Sequence, residues 1–527
     1  MAKGCEAPWT DLIVSSADNR TSCCCFFQGA GQKTFGADGS FPSLMAARNS
    51  PEFNALRQYQ AGGPHVRGCE GCAHNVEMGE GRRQHYYDYL PFGALSDRQQ
   101  ANLDLVLGEH AGGAVRLESR PLRYLIYFSW FCNLSCTICN EVGTRDFKPD
   151  ALPDDLFERW RDDLAAALLV DCIGGEPFAI PPAIAFMRKF VADPELASVR
   201  LRLTTNGTLL HKHLSWLKAK ERVSFNVSID SIGAGYDTLR VGGRWDQVRD
   251  NLLAVRDLIR SERPEWTLGT NALITRTAIP YLPEFARFHV EEGIGAFFQT
   301  LRQDRGNEES LYREDVLAYP SLLAEVPGWE DYFDEAIEIF ERGTCPKVFD
   351  RVEFPDPGAS LVGFREQLRL AAVDPIHRAD PFGRKVAEVT RSEDILSLMI
   401  GNVGKAGGTV GMVGPWAEFT SPDPDFGVVA RLNFQGGVPG GGVIGLRLIW
   451  PATLPATTRY CHSVVYEVQP FRVLRWTESR DNGERVVDMV IKSLSPAGGD
   501  ATLLLTLMNA RATERNLLPC RLEVWVA

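Results

Sequence analysis

The chain has no apolar run long enough to span a bilayer, and its N-terminus lacks a charged start followed by an apolar core. A membrane-embedded protein and an exported precursor are thereby set aside; the expectation is a cytoplasmic protein with no membrane partner. Positive charge is also short, with 56 Lys and Arg against 68 Asp and Glu and a net charge of −12. Neutralising a phosphate backbone takes clustered Lys and Arg, so no nucleic-acid partner is expected. The glycine-rich stretch Gly404–Gly414 is not followed by Gly-Lys-Ser/Thr, which excludes a phosphate-cradling P-loop and leaves a hinge or linker, or a plain surface loop. Composition is otherwise ordinary for a globular protein, and 527 residues imply two to four domains.

Cysteine is what the chain does have, with thirteen in all. In a secreted protein they would read as disulfides, but paired spacings in an intracellular enzyme point to metal. Cys132, Cys136 and Cys139 form a CxxxCxxC run directly after the apolar segment Tyr124–Phe128. A tetrahedral zinc needs a fourth partner, and no His or further Cys follows within reach in sequence. Three cysteine ligands suit a 4Fe–4S cluster with one iron left open to bind something else.

Other segments follow in order: Gly174-Gly175-Glu176-Pro177, Thr205-Asn206-Gly207, Ser228-Ile229-Asp230, and Arg240 twelve residues after Ser228. With the cysteine run, these make Arg123–Leu301 resemble the radical S-adenosylmethionine (SAM) superfamily. The resemblance implies that Gly174, Gly175 and Glu176 bind the SAM amino group and that Asn206 belongs to the cofactor turn. It gives Ser228 and Asp230 the ribose, Arg240 the carboxylate, and Leu301 the adenine. Ile138 departs from the pattern, because relatives carry an aromatic residue before the third cysteine.

Short apolar runs alternate with amphipathic stretches from Arg123 to Leu301, giving six βα-type repeats. The expected fold is α/β, a partial (βα)6 TIM-like barrel as the resemblance implies, with the motifs at strand C-terminal ends. Asp331–Gly401 reads as helical with interruptions, at Tyr332–Glu341, Leu361–Ala372 and Arg384–Ile400. Beyond Val428, seven strand-like runs punctuated by Gly, Pro and Asn predict an all-β sandwich or jelly roll. Trp450, Tyr466, Trp476 and Trp525 are expected in its core. The expected division is 1–115 for an auxiliary segment, 116–305 for the barrel, 306–414 for a helical extension and linker, and 415–527 for the β-module.

A second cysteine group precedes the barrel: Cys5, the Cys23-Cys24-Cys25 run, Cys69 and Cys72. Four such ligands fit a structural zinc or a second, fully ligated cluster. With Asn49-Ser50-Pro51-Glu52-Phe53 and Leu56-Arg57 between them, they resemble a SPASM/twitch auxiliary-cluster segment placed ahead of the barrel. The resemblance implies a second 4Fe–4S cluster on Cys5, Cys24, Cys69 and Cys72, with Cys23 the competing choice from the run. The Asn49–Arg57 piece reads as a helix. Cys172, Cys461 and Cys520 read as small buried hydrophobes. Cys345, before Pro346 in a loop-like stretch, is a candidate hydrogen donor or cluster ligand as well as an ordinary buried thiol.

The chemistry implied by the resemblance is reductive cleavage of SAM to a 5′-deoxyadenosyl radical that takes a hydrogen atom from a substrate, the cofactor carrying the hard step. The second cluster would pass electrons, and a flavodoxin- or ferredoxin-like protein would supply them. Oxidation, crosslinking or epimerisation of a peptide or other natural-product precursor is expected, with a sugar or alcohol as the alternative substrate. No winged-helix leader-binding domain is found, which counts against a ribosomal peptide. The alternative of another class is an iron–sulfur redox or scaffold protein with a binding β-module.

Overall fold

The structure, a computed structural model, describes residues 5–15, 20–22, 32–33, 43–63, 94–139, 155–299, 301, 313–317, 319–346, 356–373, 382–389, 399–403, 409–413, 416–420, 427–434, 442–453, 458–460, 462–465, 471–493, 501–508 and 515–526. Its centre is an open sheet of nine strands: β1 (Asp11–Ser15), β2 (Arg20–Ser22), β3 (Gln32–Lys33), β4 (Arg123–Tyr127), β5 (Leu169–Ile173), β6 (Arg200–Thr205), β7 (Val223–Ser228), β8 (Thr267–Leu273) and β9 (Gly295–Gln299). Their order is β3-β2-β1-β4-β5-β6-β7-β8-β9. Neighbours from β4 to β9 pair in parallel, and β1 joins parallel to β4, whereas β2 and β3 make an antiparallel edge.

The barrel therefore has seven parallel strands rather than the expected six, and the sheet does not close. The added strand, Asp-Leu-Ile-Val-Ser, is buried along its whole length. Full burial on both faces suits a parallel strand inside a layered fold. The short helices α1 (Ala7–Thr10) and α2 (Leu44–Arg48), with α3 (Pro51–Gln60), pack beside it. Helix α3 is the one expected at Asn49–Arg57; Ser50 caps it by accepting from the Phe53 N–H, with Pro51 at its first position. Arg57 is buried and donates to the carbonyls of Pro8, Arg48 and Val115, locking α3 to α1.

Helix α4 (Asp97–Ala111) opens with a capping box between Ser96 and Gln99. Its Val106 packs with Leu122, Leu168 and Leu169 at the entry to β4 and β5, and Leu103 and Phe297 join the same cluster. Gln99 Nε2 donates to the Ala167 carbonyl at 2.7 Å, and Asn102 Nδ2 to those of Arg120 and Ala166, both at 3.1 Å. Contact with β4, β5 and β9 at once makes α4 a stopper on the N-terminal end of the sheet.

Six helices alternate with the later strands: α5 (Leu156–Leu164), α6 (Pro181–Ala192), α7 (Leu214–Leu217), α8 (Gly233–Leu239), α9 (Trp245–Ser261) and α10 (Leu282–Glu292). Then come α11 (Trp329–Arg342) and α12 (Pro357–Val373). Among the described residues of Arg384–Ile400, strands stand where a helix is expected: β10 (Arg384–Val389) occupies the start and pairs with the last strand, and β11 (Met399–Val403) begins at the end. Spacing that fits a helix face gave way to edge pairing with a partner far along the chain, which local periodicity does not see.

The remaining strands are β12 (Thr409–Val413), β13 (Trp416–Thr420), β14 (Gly427–Phe434), β15 (Val443–Trp450), β16 (Thr458–Tyr460), β17 (His462–Val465), β18 (Phe471–Asp481), β19 (Glu484–Ser493), β20 (Ala501–Met508), β21 (Arg515–Leu517) and β22 (Arg521–Val526). With β10 and β11 they form three sheets, β10-β22-β15-β19-β18, β11-β14-β20-β17 and β12-β13-β21-β16. Pairing is antiparallel apart from β16 with β21. Strand β12 lies inside the stretch read as a linker. Alternate residues form the core, among them Ile444, Leu446, Leu448, Val487, Met489, Ile491, Leu503, Leu505 and Leu507. Trp450 is in that core and donates to the Leu517 carbonyl at 2.9 Å, whereas Trp525 is half-buried beside Lys385 and Arg447. Tyr466 and the side chain of Trp476 lie outside what is described.

One row of charges crosses β1, β4, β5 and β6. Asp171, only 2% exposed, takes Arg123 at 2.8 Å and Arg202 at 3.4 Å, and Arg123 reaches Asp11 at 3.6 Å. Removing one member of a buried ion pair leaves its partner's charge uncompensated, a loss of about 3–5 kcal/mol. Asp171→Ala is expected to lose stability on that scale in urea unfolding. A loss under about 1 kcal/mol would mean the row does not hold these strands together.

Candidate functional site

Strand β4 ends at Tyr127, and the loop after it carries Cys132, Cys136 and Cys139, each partly buried. Two neighbours fix the loop through backbone alone. On one side the Gly175 N–H donates to the Ser129 carbonyl at 2.9 Å and the Glu176 N–H to that of Phe131 at 2.8 Å. On the other, the Ser135 and Thr137 N–H groups donate to Val241 and Leu239 at 2.7 and 2.8 Å. Gly174 has φ +139°, and a Cβ there would strike the Ser129 carbonyl oxygen; one on Gly175 would strike those of Trp130 and Phe131. The two glycines are required because the loop backbone occupies the space of a side chain.

Glu176 is fully buried beneath this contact. Its Oε1 accepts from the Thr205 hydroxyl at 2.7 Å and the Phe178 N–H at 3.1 Å, and its Oε2 from the Asn206 N–H at 2.7 Å. One carboxylate thus joins the Gly174–Pro177 turn to the Thr205–Gly207 turn. Burial pushes its carboxyl up to about 7, against the pull of these three donors and of Arg240. Asn206 continues the link by donating to Asn133 at 2.9 Å and to the Cys132 sulfur at 3.7 Å. Burial pushes the Cys132 thiol up, opposed by the Leu134 N–H and the Asn206 amide and reinforced by Glu176 and Cys136.

At the end of β7, Ser228 is partly buried and Asp230 fully so. Asp230 Oδ1 accepts from the Leu273 N–H at 3.2 Å, and its Oδ2 pairs with Arg240 at 2.7 Å. Burial raises the Asp230 carboxyl while Arg240 pulls it down. Burial works against the Arg240 cation, but Asp230 and then Cys136 outweigh it, so the guanidinium stays charged. Arg240 Nε and the Tyr236 hydroxyl are buried with no hydrogen-bond partner among the described residues. Leu301 packs with Ile138, Leu239 and Ala278, and Cys136 and Leu273 lie against them. Cys132, Gly174, Gly175, Glu176, Asn206, Asp230 and Arg240 are thus linked into one site, with Leu301 on its apolar side.

Of the second cysteine group only Cys5 is described: it is partly buried, and its N–H donates to Gln60 at 2.8 Å. Cys23, Cys24, Cys25, Cys69 and Cys72 lie outside the described residues. Cys345 donates to the Ile294 carbonyl at 3.3 Å, just before β9 begins. That is the opposite end of the sheet from Cys132, away from any substrate at the loop. Burial pushes its thiol up to about 11, as for an inert buried cysteine. Cys172 is buried and Cys520 partly so, and Cys461 is not described.

Sequence reading missed Asn133, Thr208 and Asn251, which brace the site, and named Thr205 only as part of a turn. Asn251 Nδ2 donates to the Gly207 carbonyl at 2.7 Å. Asn133 sits inside the CxxxC spacing, its one visible signal.

Among the described residues, no three His, Cys, Asp or Glu side chains are arranged to hold a metal ion. A 4Fe–4S cubane asks for something else: each thiolate binds a different iron, so the thiols flank a cube instead of meeting at a point. Three partly buried cysteines on one fixed loop, with N–H donors aimed at Cys132 and a buried cation near Cys136, fit that group. The unsatisfied Arg240 Nε fits an anionic ligand such as the SAM carboxylate.

Gly175→Ala should leave the secondary structure intact by circular dichroism but lose most of the iron bound by the loop, because the added methyl displaces Phe131. Full iron loading would show that the loop tolerates the shift. Glu176 titrates higher folded than unfolded, so the folded state holds its proton more tightly. The stability it contributes is present in full below about pH 4.5 and is lost as pH rises through about 7. Urea unfolding from about pH 5 to about pH 8 should therefore show a steeper fall for the wild type than for Glu176→Gln. Equal slopes would assign the dependence to other groups.

Residues 126–271 match the family described as "Radical SAM superfamily". The chain is 33% identical over 133 residues to a GTP 3′,8-cyclase of Streptomyces coelicolor, covering 24% of this chain and 38% of that protein. It is 27% identical over 236 residues to one of Synechococcus elongatus, covering 43% and 67%. Among solved structures, Streptococcus suis SuiB bound to S-adenosylmethionine is similar at a TM-score of 0.34 and 18% identity, over 55% of this chain and 63% of that one. Native anSMEcpe with bound AdoMet is similar at 0.28 and 18%, over 41% and 63%. With the ordered motifs brought together at one end of a seven-stranded parallel sheet, the match identifies residues 126–271 as a radical SAM domain.

Proposed function

We propose that this radical SAM enzyme acts on a peptide or other natural-product precursor, ending in oxidation, crosslinking or epimerisation. The observation that carries the enzymatic reading is the convergence of Cys132, Gly175, Glu176, Asn206, Asp230 and Arg240 on one site: an electron carrier has no use for a buried Asp–Arg pair and a glycine turn beside its cluster. When bound, the cluster and SAM supply a 5′-deoxyadenosyl radical able to take an unactivated hydrogen atom.

The residues' own parts follow from their chemistry. Cys132, Cys136 and Cys139 hold the cluster. Glu176 has accepting capacity left beyond its three hydrogen bonds and serves an ammonium group. Arg240 keeps donors beyond the one on Asp230 and serves a carboxylate, while Ser228 and Asp230 serve ribose hydroxyls. Leu301 and Ile138 offer an apolar wall to adenine. Cys5, Cys24, Cys69 and Cys72 hold a second 4Fe–4S cluster of the SPASM/twitch kind, and a flavodoxin- or ferredoxin-like protein donates electrons. Cys5 standing on a segment built into the sheet supports this, because its position is then fixed relative to the barrel.

Two readings compete. A sugar or alcohol as substrate keeps the same radical step. A cluster-bearing scaffold with a binding β-module does not.

Anaerobic reconstitution, reduction with dithionite and addition of SAM decide between enzyme and scaffold. 5′-Deoxyadenosine is expected, and its absence from well-loaded protein would favour the scaffold. Iron should come to about eight per chain with both clusters in place. Replacing Cys132, Cys136 and Cys139 together by Ala should remove about half of it and all SAM cleavage. Loss of all iron would contradict two independently held clusters.

A further inference from the structure

The side-chain amide of Asn206 is fixed on every side. Its Oδ1 accepts from the Thr208 N–H at 3.0 Å and from the Thr208 hydroxyl at 2.7 Å. Its Nδ2 carries two hydrogens. One is donated to Asn133 Oδ1 at 2.9 Å, and the other goes to Cys132 Sγ at 3.7 Å. Asn133 closes the ring by donating its own amide to Thr208 Oγ1 at 2.9 Å. Turning the Asn206 amide over would set its oxygen against two acceptors and its NH2 against the Thr208 N–H donor, so the network leaves one orientation. The backbone beneath is held as well, by Asn251 on the Gly207 carbonyl and by Gln247 on that of Thr208 at 3.0 Å. A second donor, the Leu134 N–H, meets the same sulfur at 3.4 Å.

We infer that Asn206 is a positioning residue that tunes the reduction potential of the cluster held by Cys132, Cys136 and Cys139, through an N–H···S hydrogen bond to Cys132. This rests on the cluster reading given above. Reduction by one electron from an external donor places extra negative charge on the cluster and its thiolates. A hydrogen bond to a ligating sulfur therefore stabilises the reduced form more than the oxidised one and raises the potential. No bond to the amide is made or broken, and no proton moves. Without the donor, the equilibrium constant for reduction falls about tenfold, which is about 59 mV for a one-electron couple. Thr205-Asn206-Gly207 was expected only as a cofactor turn; the structure gives its asparagine to the cysteine loop.

The test is a potentiometric titration of the full-length, anaerobically reconstituted protein, with dithionite as reductant. It follows the electron paramagnetic resonance signal that shifts on addition of SAM, which isolates the cluster with the open iron. Asn206→Ala and Asn206→Asp should both move the midpoint to more negative values at wild-type iron content. Thr208→Val disturbs the same ring but leaves the N–H···S donor, and should keep the wild-type midpoint. An unchanged midpoint in Asn206→Ala overturns the inference, and so does an equal shift in Thr208→Val, which would make the ring a scaffold only. If both Asn206 variants load no cluster, wild-type protein labelled with 15N in its side-chain amides decides by pulsed resonance. A 15N coupling to the reduced cluster supports the bond, and its absence overturns it. A wild-type protein with no SAM-shifted signal would overturn the cluster reading itself, an outcome distinct from an unchanged midpoint.

Discussion

Bare backbone pressed against bare backbone, where Gly174 and Gly175 meet Ser129–Phe131, sets the position of everything else in the site. The contact leaves no room for a methyl group, so the cysteine loop and the end of β5 form one rigid piece. Glu176, following directly, extends that piece to the end of β6 through Thr205 and Asn206. Asn206 then returns to Cys132. The path runs from the loop, across two strand ends, and back to the loop. Such a closed path fixes the thiols before any cofactor arrives, and a preorganised site has less to reorganise on binding.

Buried charge is arranged in two tiers with different character. The row of Asp11, Arg123, Asp171 and Arg202 pairs within itself across neighbouring strands, where it fixes register. The tier at the strand C-terminal ends, with Glu176, Asp230 and Arg240, ties loops together instead of strands. Glu176 bridges two turns and is pushed up by burial, and Asp230 holds Arg240 beside the cysteine loop. Buried charge of that kind, at the end of a parallel α/β sheet where ligands collect, marks a site.

Much of the site was legible because its chemistry is local. Three cysteines in eight residues, or two glycines before a glutamate, need no knowledge of the fold to be noticed. The strands β4 to β9 were legible for a related reason: each is a short stretch, an apolar run as in β4 and β5 or an alternating one as in β6 and β7, set between helical stretches. What escaped depends on partners distant in sequence. Strand β1 has the same apolar character as β4, but its place beside β4 depends on pairing across more than a hundred residues. Strand β10 carries a helix-compatible pattern until β22 supplies its ladder. The brace formed by Asn133, Thr208 and Asn251 was invisible because small polar residues in turns are common, and only geometry separates a brace from an ordinary loop.

Helix α4 closes one end of the barrel, with Val106 and Leu103 against the starts of β4 and β5 and Phe297 of β9. That floor shuts off the strand N-terminal ends, while the sheet stays open between its two edge strands. Whatever reaches the cysteine loop comes over the strand C-terminal ends or through that open side, and a long, extended molecule can lie across both.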